Sequence, residues 1–158
     1  MPTPDFILEL RDKIGTAPLW LTGVTAVVIK DEPGAGRQVL CVRRADTGEW
    51  TPVTGIVDPG EHPADAAVRE VAEEAAVTAS PTRLAKVGVT STITYANGDR
   101  TRYIDLTWRL TWSAGVPHPA DGENTEAAWF APDDLPAMSA EMAARVAAAL
   151  PERGEAVF

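Results

Sequence analysis

The sequence predicts an α/β protein, a mixed β-sheet held between helices in a single domain spanning residues 1–158. Three observations support this class. Runs rich in β-branched residues alternate with alanine-rich segments of helical period, and Gly, Pro and Asn-Gly signals separate them. The order reads helix, three strands, helix, two or three strands, helix, so the helices have sheet faces to cover. A chain of 158 residues, 45% hydrophobic and 23% charged, can bury one sizeable core and is too apolar for a disordered protein.

The first element, "PDFILELRDKI" (4–14), has Pro4 and Asp5 near its start and Ile7, Leu8 and Leu10 on an apolar side, which predicts a short helix. This helix has two open roles, covering the sheet or mediating a homodimer. "WLTGVTAVVIK" (20–30) and "RQVLCVRR" (37–44) flank the turn "DEPGAG" and predict a hairpin. "WTPVTGIVDPG" (50–60) reads as a short strand ending in a Pro-Gly turn, and a helix follows from about Pro63 to Ala76. Two longer strands, 83–95 and 101–112, flank "ANGD" (96–99), whose Asn-Gly pair is a strong hairpin signal. Residues 113–126 form a loop by their Gly and Pro content, and "AAWFAP" (127–132) is a last short strand. "SAEMAARVAAALPERG" (139–154) is a helix with Ser139 as N-cap and Gly154 beyond its end.

The formal net charge of −9, from 23 acids against 14 bases, argues against nucleic-acid or basic membrane-surface binding. A small anionic ligand fits only where a metal ion supplies positive charge. Cys41, the one cysteine, lies in an apolar strand and reads as a small buried hydrophobe. "MPTPDFILELRDK" has no basic region leading into a long apolar core, and no stretch reaches the ~20 apolar residues that span a bilayer. A cytoplasmic protein is expected.

The informative stretch is "GEHPADAAVREVAEEAAV" (60–77), which holds Glu70, Glu73 and Glu74 beside Arg69 and contains no lysine. On a helix these acids fall at i, i+3 and i+4 and share a face, with Val68, Val71, Ala72 and Ala75 expected as an apolar anchor opposite. Like charges at i and i+4 cost an isolated helix roughly 0.2–0.5 kcal/mol. A divalent cation reverses that cost, since clustered carboxylates are the hard oxygen ligands that Mg²⁺ or Mn²⁺ takes. Geometry alone fits both a metal site and a solvated acidic face. Upstream, Glu61 stands at a turn eight residues before Arg69, within reach of a charge-assisted fork that would fix the loop against the helix.

Taken with its flanks, Gly55 to Val77 resembles the signature of the Nudix hydrolase family. That signature is Gly, five residues, Glu, seven residues, Arg-Glu, aliphatic, any residue, Glu-Glu, any residue, Gly, aliphatic. Gly55, Glu61, Arg69, Glu70, Val71, Glu73, Glu74 and Val77 match at the required spacing, and Ala76 stands where glycine is usual. The resemblance implies an α/β/α sandwich and a Mg²⁺- or Mn²⁺-dependent pyrophosphohydrolase acting on a nucleoside diphosphate linked to another moiety. It implies Glu70 and Glu74 as metal ligands, Glu73 as a third ligand or a group that activates water, and Glu61 with Arg69 as a positioning pair. A backbone carbonyl just before the motif, that of Thr54, is the implied further ligand. The family also often takes a glutamate from a distant loop, here Glu123, with Glu126 second; both equally read as ordinary loop acids. Divalent metals would clamp the phosphates and lower the pKa of a bound water, and a nearby carboxylate would act as base.

Several residues are open to two readings. Arg43 or Arg44 would meet a substrate phosphate or simply end a surface strand. Tyr95, Arg100, Arg102 and Tyr103 would bind a base and a phosphate or form a soluble hairpin edge. Trp108, Trp112 and Trp129 read as sheet-covering residues, and His62 and His118 lack partners at metal-ligand spacing. The substrate is a small-molecule nucleotide: a nucleoside triphosphate, ADP-ribose or another nucleotide sugar, or a dinucleotide. The alternative is a non-hydrolytic nucleotide sensor on the same fold, whose usual mark is erosion of acids that are intact here.

Overall fold

The computed structural model describes residues 3–158, so the first two positions of the expected domain lie outside the described residues. A central sheet carries three helices, in the order α1 (Asp5–Ile14), β1 (Leu19–Glu32), β2 (Gly36–Arg44), β3 (Trp50–Thr51), β4 (Val53–Ile56), α2 (Pro63–Ala75), β5 (Thr78–Val89), β6 (Ile93–Thr94), β7 (Arg100–Ala114), β8 (Asn124–Phe130) and α3 (Ala140–Ala149). The main path of the sheet runs β3-β2-β1-β7-β5, with β4 on β1, β6 on β7 and β8 on β2. The β1/β7 pair is parallel and the other pairs are antiparallel, so the sheet is mixed as expected.

β1 reads as an almost unbroken apolar run because both of its faces are covered. Val24, Ala26 and Val28 pack with Ala67, Val71 and Ala75 of α2, while Val27 and Ile29 pack with Val146 and Ala149 of α3. This alternation makes the sandwich. The expected hairpin exists but is closed only near its turn, where Ile29–Glu32 pair with Gly36–Val39. Beyond that point β1 passes to β4 and β2 passes to β8 and β3, so the sheet opens beside α2. Cys41 is fully buried, and burial pushes its thiol up to about 12.

Several boundaries differ from expectation. β5 starts at Thr78 and includes Pro81, which the register tolerates through an irregularity between Pro81 and Arg83. Ile93 and Thr94 form a separate short strand against β7 rather than continuing β5. Pro52 divides the expected strand into β3 and β4, and β8 begins inside the expected loop, at Asn124. α3 stops at Ala149 because Pro151 has no N–H to continue the ladder. Its final carbonyls instead accept from Arg37, Arg83 and Arg109.

α1 buries only Ile7 of its expected apolar side, leaving Leu8 and Leu10 exposed. Arg11 ties it down, donating to the carbonyls of Gly15, Ala17 and Arg100. Arg145 of α3 donates to Thr25 Oγ1 at 2.9 Å and to Asp105 Oδ1 at 3.1 Å, all three buried. Among the described residues, no helix is long and apolar enough to cross a membrane.

Candidate functional site

α2 is held at both ends. His62, expected to have no role, is its N-cap and accepts from the Ala64 N–H through Nδ1, with Pro63 in the first turn. At the other end Ala76 adopts the left-handed conformation, φ 54° and ψ 34°, in the position where the signature has glycine. The orphan carbonyls of Glu74 and Ala75 accept from the backbone N–H groups of Ala120 and His118. The loop between β7 and β8 is thereby pinned to the end of the helix.

The three glutamates do not all point away from the apolar anchor. Glu70 and Glu74 are 1% and 5% exposed and lie on the packed side with Ala67, Val71 and Ala75, whereas Ala72 is exposed and Glu73 faces solvent. The expected anchor of Val68, Val71, Ala72 and Ala75 is corrected accordingly. Positions i and i+4 follow the inner stripe, and the small side chains of Ala66 and Ala67 let the helix sit low on the sheet. The solvated-face reading fails for Glu70 and Glu74.

Gly55 explains how a buried carboxyl fits there. A Cβ built on Gly55 would overlap the Cγ, Cδ and Oε1 of Glu70, so only glycine in β4 leaves room for it. Thr54, the candidate carbonyl ligand, immediately precedes this point in the same strand. Arg69 organises the loop side. It grips Glu61 through Nε at 2.8 Å and Nη2 at 2.9 Å, and also donates to Glu70 Oε1 at 2.8 Å and the Ile56 carbonyl at 3.1 Å. A longer contact of 3.3 Å reaches Glu73. Glu61 Oε2 accepts from the Asp58 N–H at 3.1 Å, which closes the turn. The fork with Arg69 holds the Glu61 carboxyl below its ordinary range, and the same bonds raise the Arg69 pKa further.

Burial pushes both inner glutamates up to about 7, against an ordinary 4.5. Arg69 and Asn124 oppose the shift at Glu70 and Glu74 respectively. Among the described residues each engages one oxygen, Oε1 of Glu70 and Oε2 of Glu74, the latter from Asn124 Nδ2 at 2.9 Å. As the side chains stand, no three His, Cys, Asp or Glu among the described residues gather closely enough to form a ready cage. The donor set nevertheless fits a hard divalent cation: two buried carboxylates, each with one oxygen that no described residue engages, and Glu73 beside them. Such ions complete their shells with waters and substrate phosphates rather than with protein alone.

The distant loop does reach α2, and Asn124 is the residue whose side chain donates to Glu74. Glu123 precedes it, with its N–H on Asp121 Oδ1 and its carbonyl on the Ala45 N–H. Glu126 pairs with Arg43 at 2.8 Å on the surface. Asn124 was not singled out by sequence, because only the pairing of Arg44 with Asn124 carries it over the helix. Arg44 forks Asp46 at 2.9 and 2.7 Å, which is the main reason its pKa is raised, with smaller influences from Glu74 and Tyr95. The hydroxyls of Tyr95 and Tyr103 are 2.9 Å apart. Arg102 donates to Thr92 Oγ1 at 2.9 Å and, as the neighbour of Tyr103 in a regular strand, projects to the opposite sheet face. The four substrate-binding candidates therefore do not share one surface. Trp108, Trp112 and Trp129 pack against the core under α2, as expected.

Comparison with known proteins agrees with this arrangement. The model of the NUDIX domain matches residues 20–151. A "MutT-like protein" of Streptomyces ambofaciens is 32% identical over 125 residues, covering 79% of this chain and 73% of its own length. A Bacillus subtilis (strain 168) protein named "Putative 8-oxo-dGTP diphosphatase" is 30% identical over 119 residues, or 75% and 71% of the two chains. The crystal structure of a UDP-X diphosphatase superimposes with a TM-score of 0.68 at 19% identity, covering 98% of this chain and 74% of that one. Signature, fold and relatives coincide: the chain belongs to the Nudix family and is a hydrolase of phosphoanhydride bonds.

Proposed function

We propose that this enzyme is a Mg²⁺- or Mn²⁺-dependent pyrophosphohydrolase that cleaves a nucleoside diphosphate linked to another moiety. One observation carries the reading: Glu70 and Glu74 are buried side by side on α2 with one hydrogen-bonding partner residue each among the described residues. A buried carboxylate that its protein partners only partly compensate is costly, and protonation or a bound cation lowers that cost. Glu70, Glu74 and Glu73, with the Thr54 carbonyl, would hold the ion. When bound, it would neutralise phosphate charge and acidify a water.

The remaining work falls to the chain itself. Arg69 and Glu61 fix the turn before α2 and aim Glu70 by its Oε1, which sets where the carboxyl can act. Glu73 is the solvent-facing carboxylate of the trio and suits a proton acceptor, with Glu123 the second candidate for that role. Asn124 fixes Glu74 by its Oε2, and Arg44 sits where a substrate phosphate would displace Asp46. Arg102 and the Tyr95–Tyr103 pair would serve different parts of a substrate, because they occupy different faces.

The relatives' names point to nucleotides of several kinds, so the test is a panel: nucleoside triphosphates including 8-oxo-dGTP, ADP-ribose, UDP-sugars and dinucleotides. Phosphate release is followed after coupling to a pyrophosphatase or phosphatase, with Mg²⁺, with Mn²⁺ and with chelator. Metal-dependent turnover of one class, lost in Glu74→Gln, is the expected outcome. Turnover that persists in chelator or in the variant sinks the proposal.

A further inference from the structure

Positive charge is gathered at one place on this acidic molecule. The chain carries −9 overall, yet Arg37, Arg83, Arg109 and Arg153 meet around the C-terminal end of α3. Arg83 Nη2 donates to the carbonyls of Ala148 at 2.7 Å and Pro151 at 2.9 Å. Arg109 Nη1 donates to those of Ala149 and Leu150, both at 3.0 Å, and Arg37 Nη1 reaches Leu150 at 3.2 Å. A helix C-terminus offers about half a negative charge. Capping α3 therefore does not account for so many guanidinium groups.

A cleft of about 320 Å³ opens beside them, lined by Asp31, Thr82, Arg109, Thr111, Glu152 and Arg153. Its two acids are already engaged by Arg37, which holds Asp31 through Nε at 3.0 Å and Nη2 at 3.3 Å, and Glu152 through Nη2 at 2.9 Å. Four arginines, two acids and the helix end leave an excess of roughly one to two positive charges. Arg109 forms part of the cleft wall and is only 4% exposed. Its Nη1 makes both bonds to α3, so Nε and Nη2 take no part in that cap. Burial, and then the neighbouring Arg37, pull its pKa below the ordinary arginine value. Thr111 stands two residues along β7 on the same face, exposed in the wall of the cleft.

We propose that this cleft binds a phosphate-class oxyanion, held by the guanidiniums of Arg109 and Arg153 and by the hydroxyl of Thr111. Guanidinium forks combined with a hydroxyl suit a tetrahedral dianion, which takes several donors at once. Arg109 alternates along β7 with the residues under α2, so the cleft lies on the α3 face of the sheet, away from the glutamates. It is a second site, and it does not depend on which substrate the first one takes.

The test is an amide NMR titration of the labelled enzyme in chelator, so that no divalent ion recruits phosphate to Glu70 and Glu74. Inorganic phosphate, glycerol 3-phosphate and malonate are added in separate series. Saturable shifts confined to residues around 82, 109–111 and 152–153 are expected with phosphate. An equal response to glycerol 3-phosphate assigns the site to phosphate esters, and a response to inorganic phosphate alone assigns it to the free ion. Arg153→Gln, an exposed change that spares the α3 cap, is expected to weaken binding about tenfold, as is Thr111→Val. Unsaturable shifts, shifts centred on residues 55–77, malonate binding as tight as phosphate, or unchanged affinity in both variants would overturn the assignment.

Discussion

Glu70 and Glu74 differ from the other acids of α2 in lying inside rather than outside. Their pKa values of about 7 stand above the ordinary 4.5, so the folded protein binds protons that the unfolded chain releases. In the metal-free enzyme the associated stability is fully present below about pH 4.5 and is lost as pH rises through 7. The loss is on the order of 3 kcal/mol per group at most. Thermal melts in chelator from pH 4.5 to 8 should show wild type losing stability relative to the Glu70→Gln/Glu74→Gln double variant, and divalent ion should restore wild type alone. A constant difference across that range would mean the carboxylates are not strained. Gly55→Ala makes a companion prediction. The new Cβ displaces the Glu70 carboxyl, so turnover should fall at least about a hundredfold although residue 55 has no functional group. Steady-state assays on folded protein decide it, and near-normal turnover would refute the steric account.

At the scale of elements, α2 and its flanking turns act as one clamp. Arg69→Ala removes the fork to Glu61 and the bond to Glu70 together. With Arg69 partly exposed, about 1–3 kcal/mol of stability should be lost in urea denaturation, along with most of the activity. The helix exit predicts the opposite sign. Ala76 holds φ 54°, a conformation that costs a residue with a Cβ roughly 1–2 kcal/mol. Ala76→Gly relieves that strain but adds freedom to the unfolded chain, so a net gain of about 0.5 kcal/mol is expected, with turnover unchanged. A lower melting temperature would show that the exit is already relaxed. The departure from the signature therefore bears on stability and leaves the carboxylates where they are.

Over the whole molecule, the sheet is held by different means on its two faces. Under α2 the core is apolar with small side chains on the helix, whereas α3 adds to its apolar contacts a buried polar set of Arg145, Asp105, Thr25 and Thr107. Arg145→Met leaves Asp105 buried without its cation and should cost about 3–5 kcal/mol. Adding Asp105→Leu should return much of that loss, so a double-mutant cycle by chemical denaturation reads the coupling directly. Additive losses would mean that the pair does not act as a unit.

Much of this architecture was legible in the order of residues. β-Branched runs, Asn97-Gly98, Pro63 and Ser139 are local signals, and local sterics and hydrogen bonding act on them without reference to the rest of the chain. The spacing of Glu61, Arg69, Glu70, Glu73 and Glu74 was equally local, since one loop and one helix determine it. The tertiary structure alone decided that Glu70 and Glu74 face inward, that Gly55 makes room for one of them, and that Asn124 bonds to the other. It also decided that Arg102 and Tyr103 part company and that four arginines meet at the end of α3. These facts depend on strand register and on which helix face packs. Both are settled when segments distant in sequence compete to bury apolar surface, and no short stretch of sequence contains that comparison.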